Sequence, residues 1–167
     1  MLRSICTIEF LKKLVYAIAL VCFILLSVTG FSLWFIPENK FSGYLMMAHV
    51  TFSPVFALCI AALAVMYGYN QRFEKSDWLF VSRIFRCGAQ DEAPASRGSV
   101  LVMKLCFWLI CVLTIPLILS IVLSMFPIFG SEIQDILLQL HRYSALVLSI
   151  AGIVHTFFLI MIPAKKV

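Results

Sequence analysis

Residues 14–37 read LVYAIALVCFILLSVTGFSLWFIP, a run of twenty-four residues without a charged side chain. An α-helix needs about 20 apolar residues to cross the hydrocarbon core of a bilayer, so this run is long enough for one membrane span. Three further uncharged runs of comparable length follow it, at residues 41–71, 105–131 and 143–164. The four runs predict an all-α fold, an integral membrane four-helix bundle.

The composition of the 167-residue chain excludes other classes of protein. Hydrophobic residues make up 63% of it and charged residues 13%, whereas soluble domains have about a quarter charged residues. Uncharged runs of this length also exclude a transmembrane β-barrel, whose strands alternate in hydrophobicity over about ten residues. We predict a single membrane domain over residues 1–167, with helices at about 12–36, 43–70, 101–127 and 134–163.

The distribution of lysine and arginine predicts the orientation. Eleven of the 13 such residues lie at the two ends of the chain or in and around the long connection at about residues 71–100. An up-down-up-down bundle brings these three segments to one side, and cytoplasmic segments carry the excess of positive charge. We therefore expect both termini and this loop to be cytoplasmic. The net charge of +5 reflects this topology and attraction to anionic headgroups rather than nucleic-acid binding.

The long connection itself contains two kinds of sequence. Residues 76–86 predict a short amphipathic helix on the inner membrane surface. A polar stretch at residues 88–98 follows and is expected to be irregular. Two interpretations of this loop stay open, a solvated connector and a docking surface for a soluble partner.

The six cysteines carry no cofactor signature. They show neither paired metal-ligand spacing nor the C-x-x-C-H sequence that attaches haem covalently. Four of them fall within the apolar runs, where a thiol packs as a small apolar group. The candidate functional residues must therefore be sought elsewhere.

The three histidines are those candidates, because an ionisable or ligating side chain at membrane depth is costly and marks a functional site. His49 lies near the outer start of the second membrane helix, and His141 lies near the outer start of the fourth. Both helices run inwards, so the two imidazoles are expected to face each other at one depth. Two imidazoles converging from separate helices are what a b-type haem with two axial histidines requires.

The third histidine, His155, follows His141 by 14 residues. On an α-helix this spacing places it about 21 Å deeper on nearly the same face. One metal ion held by all three histidines is thereby excluded, whereas two stacked cofactors fit the separation. The alternative is that the histidines are interhelical hydrogen-bond donors and that the small residues Ala145 and Gly152 serve close helix packing.

The histidines and their neighbours form a specific pattern. It consists of Leu140-His141-Arg142, His155 fourteen residues later, His49 early in helix two and Thr29-Gly30 near the end of helix one. The pattern resembles the four-helix cytochrome b subunits of respiratory formate dehydrogenases (the gamma subunit) and related di-haem membrane anchors, over most of the chain. The resemblance implies that His49 and His141 hold an outer haem. Arg142 is then a candidate partner of a haem propionate, or an interfacial anchor.

The chain departs from this family at one ligand. The resemblance pairs His155 with a histidine near the start of helix one, at about residues 14–16 of this sequence, but no histidine precedes His49. Three interpretations of His155 are open: it holds a five-coordinate haem, it shares a haem with another ligand such as Lys12 or Lys13, or it is a hydrogen-bonded structural residue. The family's quinone site lies beside this inner haem, so quinone binding depends on the same question.

The function that the resemblance implies is electron transfer between a quinone or menaquinone pool and a partner oxidoreductase subunit, in the bacterial inner (cytoplasmic) membrane. One haem b is expected at His49 and His141, and a second at His155 is possible. The partner subunit is expected to carry iron-sulfur, molybdenum, nickel-iron or multihaem centres. The alternative is a haem-free membrane anchor or small transporter subunit of a larger complex.

Overall fold

The computed structural model describes residues 2–36, 42–85, 95–126 and 130–161. These residues form five helices and no strand: α1 (Leu2–Phe35), α2 (Ser42–Tyr67), α3 (Lys75–Phe85), α4 (Ala95–Ser124) and α5 (Ser131–Met161). Four of the five, all except α3, contain a segment long and apolar enough to cross a membrane. The predicted all-α membrane bundle of four helices is confirmed. We call the end of the bundle at which α1 begins and α5 ends the inner end.

The helix bounds differ most from the expected ones at two N-termini. Helix α1 begins at Leu2 rather than near residue 12, and α4 begins at Ala95 rather than near residue 101. The expected bounds followed the hydrophobic runs. The backbone hydrogen bonds of an α-helix join residues four apart and do not depend on apolar side chains, so both helices extend beyond the apolar runs into polar sequence. Most of the polar stretch at residues 88–98 lies outside the described residues.

The connection between α2 and α4 is attached to α4 at two points. The Asp77 carboxylate accepts the backbone N–H of Glu74 at 2.9 Å, which caps α3, and also forms an ion pair with Lys104 of α4 at 2.8 Å. The Trp108 indole N–H donates to the backbone carbonyl of Gln71 at 2.9 Å. The Glu74 amide and the Lys104 ammonium together hold the pKa of Asp77 below its usual value. Helix α3, which lies where the sequence predicts an amphipathic helix, is thereby fixed relative to α4.

The bundle consists of two helical hairpins with a gap between them. Helix α1 packs mainly against α2, and α4 packs mainly against α5, whereas contact between the hairpins is much sparser. A small cluster of Cys22, Phe56 and Leu148 joins the hairpins near the middle of the bundle. Only 11–28% of each span is buried within the protein, so most apolar side chains face the surroundings rather than a protein core. The three histidines lie at the gap, two of them towards the outer end and one towards the inner end.

Candidate functional site

His49 of α2 and His141 of α5 face each other from opposite hairpins at the outer end of the gap. Their ring centroids are 6.4 Å apart. When two imidazoles bind one metal ion from opposite sides, with bonds of about 2 Å and about 1.2 Å from nitrogen to ring centre, their centres lie about 6 Å apart. The separation of these two rings therefore suits two imidazoles that would hold one metal ion between them.

Each of these imidazoles is held through Nδ1 by its own hairpin. The His141 Nδ1–H donates to the backbone carbonyl of Leu117 at 3.0 Å. His49 Nδ1 lies 3.0 Å from the Thr29 hydroxyl, which itself donates to the Leu25 carbonyl at 2.7 Å and therefore accepts from the imidazole. A neutral imidazole protonated at Nδ1 has its lone pair on Nε2. Both rings thus have the tautomer and the outer hydrogen bond that are typical of metal-ligating histidines.

The Thr29-Gly30 pair explains how α1 approaches the His49 ring so closely. Thr29 is buried and supplies the hydrogen-bond acceptor for Nδ1. A Cβ atom at Gly30 would lie 3.0 Å from Cε1 of His49, closer than side chains normally pack. Thr29 therefore provides the polar contact and Gly30 the space for the ring.

His155 lies deeper on α5 and is only 9% exposed. Its Nδ1–H donates to the backbone carbonyl of Met103 at 3.2 Å, which again leaves the lone pair on Nε2. Its ring lies beside Phe107, with centroids 6.3 Å apart. Within the described ranges, no hydrogen bond engages Nε2 of any of the three histidines. The structure thus brings His49 and His141 together and places His155 apart from them.

A cavity lies beside His155 in the inner half of the gap. All four long helices line it, and most of the lining side chains are apolar. The lining residues are Tyr16, Ala19, Leu20 and Phe23 of α1, Phe56, Ile60, Leu63 and Tyr67 of α2, Gln71 of the connection after α2, Met103, Phe107, Ile110 and Cys111 of α4, and Leu148, Gly152, His155, Thr156 and Leu159 of α5. The Oε1 atom of Gln71, which follows α2, is buried and finds no hydrogen-bond partner in the described part of the chain.

The other sequence-derived candidates lie outside this cavity. Lys12 pairs with Glu9 at 2.9 Å and lies over the Tyr67 ring, while Lys13 is exposed, and neither lysine lines the cavity. Arg142 is exposed next to His141. Across the described segments, no group of three or more His, Cys, Asp or Glu side chains could share a metal ion.

Two features of the site could not be predicted from the sequence. The carbonyl groups of Leu117 and Met103 accept the imidazole protons of α5, yet every residue carries a carbonyl and the sequence gives no signal for it. The role of Thr29 depends on how α1 packs against α2, which the sequence of two uniformly apolar helices does not specify. The only signal for it was the Thr29-Gly30 pair within the family-like pattern.

Comparison with known proteins connects this geometry to a family. Residues 14–166 match the sequence profile of the family described as prokaryotic cytochrome b561. The matched segment contains all three histidines and most of every membrane helix. No curated protein matches the chain. The family binds b-type haem, and the facing imidazoles of His49 and His141, with their Nε2 lone pairs, suit that group. The chain belongs to the prokaryotic cytochrome b561 family and is a multi-pass bacterial membrane protein that transfers electrons through b-type haem.

Proposed function

We propose that His49 and His141 hold one haem b and that the chain passes electrons between a quinone pool of the bacterial inner membrane and a partner oxidoreductase subunit. The observation that carries the proposal is the pair of imidazoles at 6.4 Å, each with Nδ1 at a hydrogen-bond partner within its own hairpin, so that the neutral ring has its lone pair on Nε2. The haem supplies one-electron chemistry by alternating between ferric and ferrous iron. The chain supplies ligation, position and an apolar surrounding.

The residues around the pair fix the two ligands. The acceptors on Nδ1, the Thr29 hydroxyl and the Leu117 carbonyl, set the orientation of each ring and make Nε2 a better electron donor to a metal. Each acceptor belongs to the same hairpin as its histidine, so the ring orientation does not depend on how the hairpins are placed. Arg142 follows His141 directly and is exposed at the outer end. Its guanidinium is suited to bind an anionic haem propionate there.

The quinone part of the proposal rests on Gln71. Its buried Oε1 has no partner among the described residues and belongs to a residue that lines the cavity. A buried acceptor without a donor is costly, and the hydroxyl group of a quinol is a donor that would satisfy it. Aromatic side chains in the cavity wall, among them Tyr67, would pack against the quinol ring.

The partner subunit is proposed to bind at the inner end. Helix α3 carries exposed apolar side chains there, including Trp78 at 68% and Leu79 at 61% exposure. Its attachment to α4 through Asp77 and Lys104 gives a fixed surface rather than a loose loop. An iron-sulfur, molybdenum, nickel-iron or multihaem subunit would exchange electrons from this side.

Absorbance spectroscopy with a haem count tests the ligation. We expect His49→Ala and His141→Ala each to remove the low-spin haem signal from the reduced-minus-oxidised spectrum of the purified protein. Met47→Ala is the control, because Met47 is 69% exposed on the same helix as His49. Unchanged haem content in either histidine variant would contradict the pairing. Reduction of the haem by menaquinol in liposomes tests the quinone part separately, and Gln71→Leu should slow that reduction without loss of haem.

A further inference from the structure

The backbone carbonyl of Leu117 in α4 accepts hydrogen bonds from two side chains. The His141 Nδ1–H donates to it from α5 at 3.0 Å, and the Ser120 hydroxyl donates to it from the next turn of α4, also at 3.0 Å. Ser120 is 1% exposed, less than any other buried residue in the described part of the chain. Water therefore does not compete for its hydroxyl, and the contact with the carbonyl is a fixed part of the structure around His141.

The Leu117 carbonyl is also an acceptor within α4. In an α-helix it receives the backbone N–H of the residue four positions later, which is Ile121. Pro116 lies in this helix and lacks an N–H, but the carbonyl that it leaves without a helical donor is that of Val112. A carbonyl oxygen has two lone pairs, and three donors are directed at this one. Each donor therefore receives less electron density from the oxygen than it would receive alone.

His49 has the opposite arrangement. Its acceptor is the Thr29 hydroxyl, which donates its own proton to the Leu25 carbonyl at 2.7 Å. Hydrogen bonds in a chain polarise one another, so a hydroxyl that donates becomes a stronger acceptor. The second hydrogen bond strengthens the acceptor of His49, whereas the second side-chain donor weakens the acceptor of His141. The two imidazoles have the same tautomer but differ in the electron density available at Nε2.

The carbonyl that holds His155 lacks a second side-chain donor of this kind. The Met103 carbonyl accepts the His155 Nδ1–H at 3.2 Å, and the residue three positions later on α4 is Cys106 rather than a serine. A thiol is a weak donor, and within the described ranges no hydrogen bond joins Cys106 to this carbonyl. The shared acceptor therefore distinguishes His141 from the other histidine of α5.

We infer that Ser120 is a positioning residue that weakens His141 as an axial ligand and thereby raises the midpoint potential of the outer haem. The inference rests on the proposed function, in which His49 and His141 hold that haem. A strong acceptor on Nδ1 makes an imidazole more basic at Nε2, and a more basic ligand favours ferric iron. Ser120 takes up part of the electron density of the Leu117 carbonyl and so reduces this effect at His141.

Redox titration of the haem-loaded, full-length protein tests the inference. Ser120→Ala should shift the midpoint potential of the outer haem to a lower value. Ser120→Cys keeps a side chain of similar shape with a weaker donor, and should shift the potential in the same direction by a smaller amount. Ser124→Ala is the matched control, because the Ser124 hydroxyl also donates to a carbonyl three residues earlier on α4, that of Ile121, at 2.8 Å. No imidazole donates to that carbonyl in the described residues, so we expect an unchanged potential.

A measurement without haem separates this inference from the proposed function. In apo-protein with isotope-labelled histidine, the proton resonance of the His141 Nδ1–H moves downfield as its hydrogen bond becomes stronger. We expect Ser120→Ala to move this resonance downfield and to leave that of His49 unchanged.

Three results would overturn the role of Ser120. They are an unchanged or raised midpoint potential in Ser120→Ala, an equal fall in Ser124→Ala, and a His141 resonance that does not move. If Ser120→Ala fails to assemble, Ser120→Cys is judged by the same criteria. Absence of a low-spin haem from the unmodified chain would instead overturn the proposed function, and the His141 resonance would still show whether Ser120 competes for the Leu117 carbonyl.

Discussion

Replacement of Thr29 by valine tests whether the hydrogen bond to His49 prepares that imidazole for haem binding. Valine has nearly the shape of threonine but lacks the hydroxyl that accepts the Nδ1 proton at 3.0 Å. The position is 7% exposed, so water would not readily take over the contact. Without an acceptor on Nδ1 the ring loses its fixed orientation, and Nε2 becomes a weaker donor to iron.

The expected size of this effect follows from the kind of contact that is lost. Loss of a hydrogen-bond partner to a metal-ligating histidine typically costs about 10–100-fold in metal affinity, which corresponds to about 1.4–2.8 kcal/mol. We expect the haem affinity of Thr29→Val to fall by this factor. The midpoint potential of the outer haem should rise, because a less basic imidazole stabilises ferric iron less.

A second buried threonine provides the matched control. Thr114 is 6% exposed, and its hydroxyl donates to the Ile110 carbonyl of its own helix at 2.7 Å. Thr114→Val removes a buried hydroxyl with an intrahelical hydrogen bond, as Thr29→Val does, but the lost hydrogen bond does not involve a histidine. Thr29→Ser should retain normal affinity. Titration of haem into the apo-proteins measures all four chains, and equal affinities for the two valine variants would refute the role of Thr29.

Three further outcomes are expected from other parts of the chain. Gly30→Val should perturb the outer haem spectrum, because even a Cβ there meets an imidazole carbon at 3.0 Å, whereas Gly43→Val should not, since a Cβ there meets nothing within 4 Å. The ion pair of Asp77 with Lys104 should persist at pH 5 and weaken only below about pH 4, because the pKa of Asp77 is lowered from 3.8 and its contribution disappears as pH falls through the lowered value. Protease protection of α3 measures this. Asp77→Asn should abolish the pH dependence, whereas Lys104→Met should only reduce it, because the Glu74 N–H still binds the Asp77 carboxylate. A cysteine introduced within residues 88–98 should react with a thiol reagent that cannot cross the membrane from the cytoplasmic side alone, and labelling of that cysteine from the outside would reverse the proposed orientation.

The four-helix bundle was predictable from the sequence because the lipid bilayer restricts which amino acids a membrane-spanning segment can contain. A span must satisfy its backbone hydrogen bonds internally and present apolar side chains, so four uncharged runs correspond to four helices. The pairing into hairpins was not predicted. Helices such as α1 and α2 are apolar on all sides, so no amphipathic face indicates which neighbour each one packs against.

The facing of His49 and His141 was predictable for a similar reason. Alternating spans and a fixed rise per residue place both histidines at one depth, and the structure brings their rings to 6.4 Å. Their Nδ1 partners depend on the rotation of each helix about its axis and on its register against the neighbour, which the sequence does not encode in any local pattern. The connection of Gln71 to Trp108 is of the same kind, because it joins residues 37 positions apart.

The three histidines differ in how they relate the two hairpins to each other. His49 is tied to α1 within the first hairpin, and His141 is tied to α4 within the second. A haem bound by both therefore connects two hairpins that otherwise touch sparsely, and its binding free energy stabilises the assembled bundle by mass action. His155 is also tied to α4, through Met103, but no imidazole faces it from the first hairpin. The hydrogen bond of His155 therefore stays within the second hairpin and does not join it to the first.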